Sequence, residues 1–170
     1  ISMSIICGII LTFAAIPLAR IFLEMMSSPE NVIGLSTTYL RIYFLGMPAM
    51  MLYNFGSAML RALGDTKRPL YILAFSGVIN IIMNLFFVIV IRMDVAGVAC
   101  ATIISQYISA ILILLVLAKE KGELHLDIKK IRCDKKVLGK IMAIGFPAGL
   151  QGTIFSISNV VIQSSVNSFG

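Results

Sequence analysis

The chain has 170 residues, of which 59% are hydrophobic and 13% charged, with a net charge of +6 and a mean hydropathy of +0.98. A soluble domain averages about 25% charged residues, so this composition excludes an ordinary soluble protein. The basic residues are gathered in a few short segments between apolar stretches, which argues against nucleic acid as a partner.

Five stretches of at least 19 residues contain no charged side chain. A helix needs about 20 mostly apolar residues to cross the hydrocarbon core of a bilayer. Backbone polar groups in lipid must be paired, and these apolar runs do not alternate as barrel strands do, so each stretch is predicted to be a helix. The fold class is therefore an all-α, polytopic transmembrane helical bundle. The five predicted spans are Ile1–Ala19, Ile42–Leu60, Pro69–Ile91, Val95–Ala118 and Ile141–Gly170.

The helix that contains the second span is expected to begin in the preceding loop. Ser27 and Glu30 have the spacing of a capping box, and Pro29 suits a first helical turn. This helix is expected to continue to about Leu63, with a kink near Gly46–Pro48 because proline removes a backbone hydrogen bond.

The segment that joins the second and third spans has the composition of a tight helical hairpin. Gly64 can end one helix, Asp65 or Thr66 can cap the next, and Pro69 fits its first turn. The next loop is equally short, so the second, third and fourth spans are predicted to run up and down as antiparallel neighbours.

The distribution of basic residues predicts which loops face the cytoplasm. Residues 61–68 and 119–140 contain eleven of the 14 lysines and arginines, whereas the other two loops contain Arg20, Arg41 and Arg92. Because basic residues accumulate on the cytoplasmic side, the two basic loops are assigned to the cytoplasm of a multi-pass protein of the cell membrane.

The basic segment 119–140 is long enough to separate two parts of the protein. Its latter part, 127–140, suggests an amphipathic helix at the cytoplasmic interface, although a solvated charged linker explains it almost as well. Long linkers often join the two halves of a transporter. The predicted organisation is therefore a four-helix part of an N-terminal lobe at 1–118, a linker at 119–140, and the first helix of a C-terminal lobe at 141–170.

Neutral polar side chains form stripes within three of the spans. The third span carries Asn80 and Asn84 four residues apart, on one helical face. Amides facing lipid would be unsatisfied, so the stripes should face other helices or a wet cavity. Hydrogen bonding between helices explains any one residue as well as a cavity does, but the set favours a central polar cavity. The other two stripes are Thr102, Ser105, Gln106 and Ser109, and Gln151, Asn159, Gln163 and Asn167.

The sequence Leu-Arg-Ala-Leu-Gly-Asp-Thr-Lys-Arg-Pro-Leu at 60–70 resembles the cytoplasmic turn of the multidrug and toxic compound extrusion (MATE) family. Other segments resemble the same family in the same order and together cover almost the whole chain. They are Tyr39-Leu40-Arg41-Ile42, Asn80-Ile81-Ile82-Met83-Asn84, Val95 to Thr102, and Gly145-Phe146-Pro147.

The resemblance implies an interior fragment containing spans three to seven of twelve, with the remainder of the same polypeptide supplying the missing helices. It implies a non-enzymatic antiporter that exports amphiphilic or cationic small molecules in exchange for protons or sodium, without a metal or cofactor. The matching cation-binding positions are Asn80, Asn84 and Thr102, with Tyr39 nearby. A substrate cavity between two lobes would then be lined by Gln106, Gln151, Asn159, Gln163 and Asn167.

Asn84 departs from the family pattern, in which many members carry Asp at this position. A neutral amide can coordinate sodium but cannot titrate. Two alternatives remain open. A flippase for lipid-linked oligosaccharides of the same superfamily would need several basic residues in its cavity, and the spans contain none. A non-transporting scaffold subunit would instead bury the polar stripes in fixed contacts.

Overall fold

The structure, a computed structural model, describes residues 1–25, 30–120 and 135–168. Within these ranges the chain forms six α-helices and one π-helical turn, and it contains no strand. The all-α class predicted from the sequence is therefore confirmed. The elements are α1 Ser2–Met25, α2 Glu30–Phe44, α3 Met47–Ala62, α4 Lys67–Leu85 with its π-helical turn Phe86–Val90, α5 Val95–Lys119 and α6 Lys135–Ser168.

Four of the described helical segments are long and apolar enough to cross a bilayer, namely Ser2–Met25, Lys67–Val90, Val95–Lys119 and Val137–Val166. They correspond to the first, third, fourth and fifth predicted spans. The predicted second span, Ile42–Leu60, is not one continuous helix but is divided between α2 and α3.

The chain breaks between α2 and α3 at the position where the sequence predicted only a kink. Pro48 has no N–H, so the carbonyl of Phe44 cannot be paired in a continuous helix. The chain turns instead: the Leu45 N–H donates to Ile42 O (2.9 Å) and the Gly46 N–H donates to Tyr43 O (2.9 Å). The prediction of one helix reaching Leu63 was therefore wrong; its predicted start, at Ser27 to Pro29, lies outside the described residues.

Neighbouring helices donate hydrogen bonds to the carbonyl groups of this break. The hydroxyl Oγ1 of Thr12, on α1, lies 2.9 Å from Phe44 O and 2.9 Å from the carbonyl oxygen of Gly8. The Tyr107 hydroxyl, on α5, donates to Leu45 O at 3.2 Å. Because lipid offers no donor, a break at this depth is tolerated only where protein groups complete its hydrogen bonds.

The turn between α3 and α4 matches the predicted hairpin. Gly64 adopts a positive φ of 84°, which costs glycine little, and the following N–H of Asp65 donates back to Leu60 O at 3.0 Å. Asp65 Oδ1 accepts the backbone N–H of Arg68 at 3.1 Å, and Pro69 lies in the first turn of α4. The Arg68 guanidinium pairs with Asp65 and with Glu120 just after α5, which ties the turn to the end of α5.

Helix α5 is the centre of the bundle, since it packs against α2, α3 and α4, while α1 packs against α2 and α3. Small residues permit the closest approaches. A Cβ atom at Gly56 would lie 2.8 Å from Ile113, and one at Gly8 would lie 2.5 Å from the Cα of Pro48. An apolar cluster of Leu60, Ile72, Ile113 and Leu117 joins α3, α4 and α5.

Helix α6 begins at Lys135, six residues before the fifth span predicted from the sequence, and most of its described side chains are exposed. Residues 135–140 are thus helical and continuous with α6. The remainder of the predicted amphipathic segment lies outside the described residues.

We expect Thr12→Val to destabilise the full-length protein by about 0.6 kcal/mol, because valine keeps the volume but leaves the Phe44 carbonyl without its donor. Thr38→Val is the matched control, since the Thr38 hydroxyl bonds only to Gly34 O within its own helix. Thermal unfolding in detergent should show a lower midpoint for Thr12→Val than for the control. Equal midpoints would contradict the role assigned to Thr12.

Candidate functional site

A site lined by neutral polar side chains lies between α4 and α5, which run antiparallel and pack along much of their length. Their polar faces enclose a groove of about 330 Å³, open on one side. The groove is lined by Leu73, Ser76, Gly77, Asn80, Thr102, Ser105, Gln106 and Ser109. The structure therefore brings the predicted stripes of the third and fourth spans together, apart from Asn84, which lies next to the lining.

A chain of hydrogen bonds connects the two helices across this groove. The Asn84 side chain donates from Nδ2 to Asn80 Oδ1 at 3.1 Å, and Asn80 Nδ2 donates to Ser105 Oγ at 3.3 Å. Ser105 Oγ in turn donates to the backbone oxygen of Thr102 at 2.8 Å. The amide of Asn80 is thus held from both sides, with a fixed orientation at the centre of the groove.

Two amide oxygens at this site are buried and accept no hydrogen bond, namely Asn84 Oδ1 and Gln106 Oε1. Amide oxygens are strong acceptors and also coordinate hard cations such as sodium or calcium. An unpaired buried acceptor costs free energy, so these two oxygens favour a ligand that brings a donor or a positive charge. Their role in binding a cation stays a prediction.

The end of α4 next to Asn84 has an altered geometry. The backbone widens into the π-helical turn Phe86–Val90, where the Ile91 N–H donates to Phe86 O at 3.2 Å. Such turns shift side chains relative to a regular helix and are frequent at functional sites. Arg92 then ends the segment with a positive φ of 57°.

Tyr39, the fourth predicted cation ligand, is not part of the groove lining. It lies on α2, where its ring stacks on Tyr43 with centroids 6.0 Å apart. The structure thus groups three of the four predicted ligands and places Tyr39 on a neighbouring helix that packs against α5.

Gln106 links the groove to the break between α2 and α3. Its Oε1 atom lies so close to Gly46 that a Cβ atom there would be 2.1 Å away. The next residue, Tyr107, donates to the carbonyl oxygen of Leu45 in the same break. No local sequence pattern predicts this arrangement, although the occurrence of Gly46 and Pro48 within one predicted span indicates irregular backbone.

A second, larger cavity of about 710 Å³ lies between the end of α1 and the C-terminal half of α6. Its lining combines apolar side chains with four hydroxyl groups. The lining residues are Phe22, Met25, Thr153, Ser156, Ile157, Val160, Val161, Ser164 and Ser165.

The predicted substrate residues of the fifth span do not line this cavity. Gln151, Asn159 and Gln163 are exposed and lie on another face of α6, and the side chain of Asn167 lies outside what the structure describes. Gln106 lines the groove between α4 and α5 instead. The assignment of these residues to a substrate cavity stays a prediction.

No cluster of three or more His, Cys, Asp or Glu side chains occurs within the parts of the chain that the structure describes. The polar atoms of the groove lining are hydroxyl and amide groups. The chemistry that such groups offer is hydrogen bonding and cation coordination.

The family profile and the individual relatives that match this chain agree on one family. The profile of the family described as MatE matches residues 1–86. The chain is 38% identical over 153 residues to the probable multidrug resistance protein YpnP of Bacillus subtilis, covering 90% of this chain and 34% of that protein. It is 23% identical over 167 residues to the multidrug export protein MepA of Staphylococcus haemolyticus, covering 98% of this chain and 37% of that protein.

The fold also matches a solved structure, described as the inward-facing conformation of a multidrug resistance MATE family transporter of the MOP superfamily. The TM-score is 0.82 at 22% sequence identity, covering 98% of this chain and 40% of that one. The chain thus spans little more than a third of the length of the relatives it matches.

We expect a cysteine at Gly77, on the groove, to react with a charged methanethiosulfonate reagent, because a Cβ atom there meets no neighbour within 4 Å. Phe75→Cys is the matched control on another face of α4, where an apolar surface should keep the thiol protonated and unreactive. Both are measured in the full-length protein with the natural cysteines replaced. Equal labelling of the two positions would contradict a hydrated groove.

Proposed function

Since the chain belongs to the MATE family of membrane transporters rather than to any class of enzyme, we propose that it forms part of a secondary active antiporter. The complete protein would export amphiphilic organic cations in exchange for sodium ions or protons. The missing helices of the same polypeptide would complete the two lobes between which the substrate moves.

The observation that carries the proposal is the hydrogen-bonded groove between α4 and α5. It combines the orientated amide of Asn80, the nearby backbone oxygen of Thr102, and the unpaired oxygens of Asn84 and Gln106. Neutral polar groups within a membrane are unfavourable unless they have hydrogen-bond partners. A groove that contains two unpaired amide oxygens therefore supports a role in binding a ligand.

The chemistry of the groove favours sodium over a proton as the ion held by these particular residues. Asn80, Asn84 and Thr102 offer oxygen atoms, but none of them gains or loses a proton near neutral pH. A carboxylate on a helix outside this chain would add charge to such a site.

Alternating access would let this ion exchange for substrate. Sodium binding would stabilise one arrangement of the helices, and a cationic substrate would stabilise the other. Each ligand shifts the equilibrium between the two arrangements only as far as its affinities for them differ. The cytoplasmic turn at 61–69 would shape the end of the lobe rather than contact the substrate.

The flippase alternative is not favoured by the two cavities that lie along the apolar helices, although a third cavity at the turn between α3 and α4 is lined by Lys67 and Arg68. The linings of the α4–α5 groove and of the α1–α6 cavity contain no arginine or lysine that could match a pyrophosphate group. The names of the relatives, which describe multidrug resistance and export, support drug efflux instead.

We expect Asn80→Ala in the full-length protein to reduce sodium-dependent efflux of a fluorescent organic cation about tenfold, since about 1.4 kcal/mol of binding energy corresponds to a factor of ten. Asn54→Ala is the matched control, because Asn54 is exposed on α3 and lies away from the groove. Efflux is measured in proteoliposomes with an imposed sodium gradient. Unchanged efflux and ion dependence for Asn80→Ala would remove Asn80 from the site.

We expect Asn84→Asp to make transport depend on pH, because it introduces a titrating group where the natural side chain has none. When the introduced carboxyl is ionised, its charge should raise the apparent sodium affinity about tenfold; when it is protonated, the variant should resemble the natural protein. The apparent sodium affinity is measured across a pH series for both proteins. A variant whose affinity stays constant across the series would place residue 84 away from the ion.

A further inference from the structure

The break between α2 and α3 and the polar groove meet at one side chain, Gln106. Its Oε1 atom is buried without a hydrogen-bond partner and lies against Gly46 in the break. The same side chain belongs to the groove lining beside Asn80 and Thr102. One amide therefore contacts both the candidate binding site and the only interruption that the structure describes within the predicted second span.

The contact between Gln106 and Gly46 depends on the absence of a side chain at residue 46. A Cβ atom there would approach Gln106 Oε1 to 2.1 Å and Tyr43 O to 3.2 Å. Gln106 can thus occupy this position only because residue 46 is glycine. The amide oxygen gains no hydrogen bond from it, so an alternative position with a donor or a cation would be preferred.

The break is held by side chains of other helices rather than by a continuous helical ladder. The single Thr12 hydroxyl proton is shared between Phe44 O and Gly8 O, each 2.9 Å away, and Tyr107 donates to Leu45 O at 3.2 Å. Hydrogen bonds between membrane helices contribute only about 0.6 kcal/mol on average. The hydrogen bonds at the break are therefore weak, and both α2 and α3 also pack against α1 and α5. A movement of α5 or of its side chains can thus alter the angle between α2 and α3.

We propose that the break is a hinge between α2 and α3, and that Gln106 and Tyr107 are positioning residues that couple it to occupancy of the groove. A sodium ion in the groove attracts Gln106 Oε1 and withdraws it from Gly46. The break then loses its contact with Gln106 of α5, and the angle between α2 and α3 changes. The idea rests on the proposed function, since it deepens how ion binding would be transmitted to the helices.

The test measures the distance between α2 and α3 in the full-length protein. Spin labels are attached at Leu35 on α2 and Ala58 on α3, both exposed, after the natural cysteines have been replaced. Distance distributions from pulsed electron paramagnetic resonance are compared in sodium chloride and in potassium chloride. Sodium should shift the distribution, and Gln106→Met, which keeps the length of the side chain but removes the amide, should abolish the shift.

A second pair of variants tests the hinge without involving the ion. Tyr107→Phe removes only the hydroxyl that bonds to Leu45 O, and it should broaden the distance distribution even in potassium chloride. Tyr71→Phe is the matched control, because Tyr71 is 68% exposed on α4, and it should leave the distribution unchanged. If Gln106→Met does not fold, Gln106→Asn replaces it, since the shorter amide does not reach Gly46 but still presents an oxygen to the groove.

The outcomes separate this idea from the proposed function. Sodium-driven efflux with no sodium-dependent change in the α2–α3 distance would overturn the coupling and leave the transporter assignment intact. A shift that persists in the Gln106 variant would overturn the role of Gln106. Unchanged distributions in Tyr107→Phe would overturn the hinge. If the natural protein shows the sodium-dependent distance change but no sodium-driven efflux, the antiporter proposal is contradicted and the coupling is retained.

Discussion

The need to pair every backbone carbonyl inside a bilayer is the constraint on which the described bundle depends. Pro48 denies the Phe44 carbonyl its helical donor, and the chain turns at Leu45 and Gly46. Lipid cannot supply the missing donor, so α1 supplies it through Thr12 and α5 donates to the next carbonyl through Tyr107. A local defect in one span thereby brings hydrogen-bond donors of α1 and α5 to the junction of α2 and α3.

Small residues make that arrangement possible. The close approach of α1 to the break requires glycine at residue 8, because a Cβ atom there would collide with the backbone of Pro48. Gly46 makes room for the amide of Gln106, and Gly56 lets α3 approach Ile113 of α5. Without a strong hydrophobic force between helices in lipid, such close contacts and a few polar bonds determine which faces meet.

The polar groove gains its character from the same packing. The contact of α4 with α5 aligns two amides and two hydroxyl-bearing residues into one chain of hydrogen bonds, with Asn80 at its centre. It also leaves two amide oxygens buried without partners. A site of neutral oxygens beside an interrupted helix is the arrangement that many secondary transporters use near the membrane midplane.

Much of this protein could be read from its sequence because the signals are local. Four of the five charge-free stretches correspond to helices that are long and apolar enough to cross a membrane. The turn from Gly64 to Pro69 ends one helix and begins the next as predicted, and the two asparagines of α4 share a face. Each of these follows from hydropathy or from the spacing of residues within one turn or one helix.

Only the tertiary structure decided which of these elements meet. The bonds that hold the break join residues 32 and 62 positions apart, and no local pattern specifies such partners. For the same reason the sequence predicted a kink where the chain breaks, and it could not place Gln106 against Gly46 or show which face of α6 lines the larger cavity. Hydropathy determines which segments enter the membrane, whereas steric fit and the pairing of polar groups between helices determine how those segments are arranged.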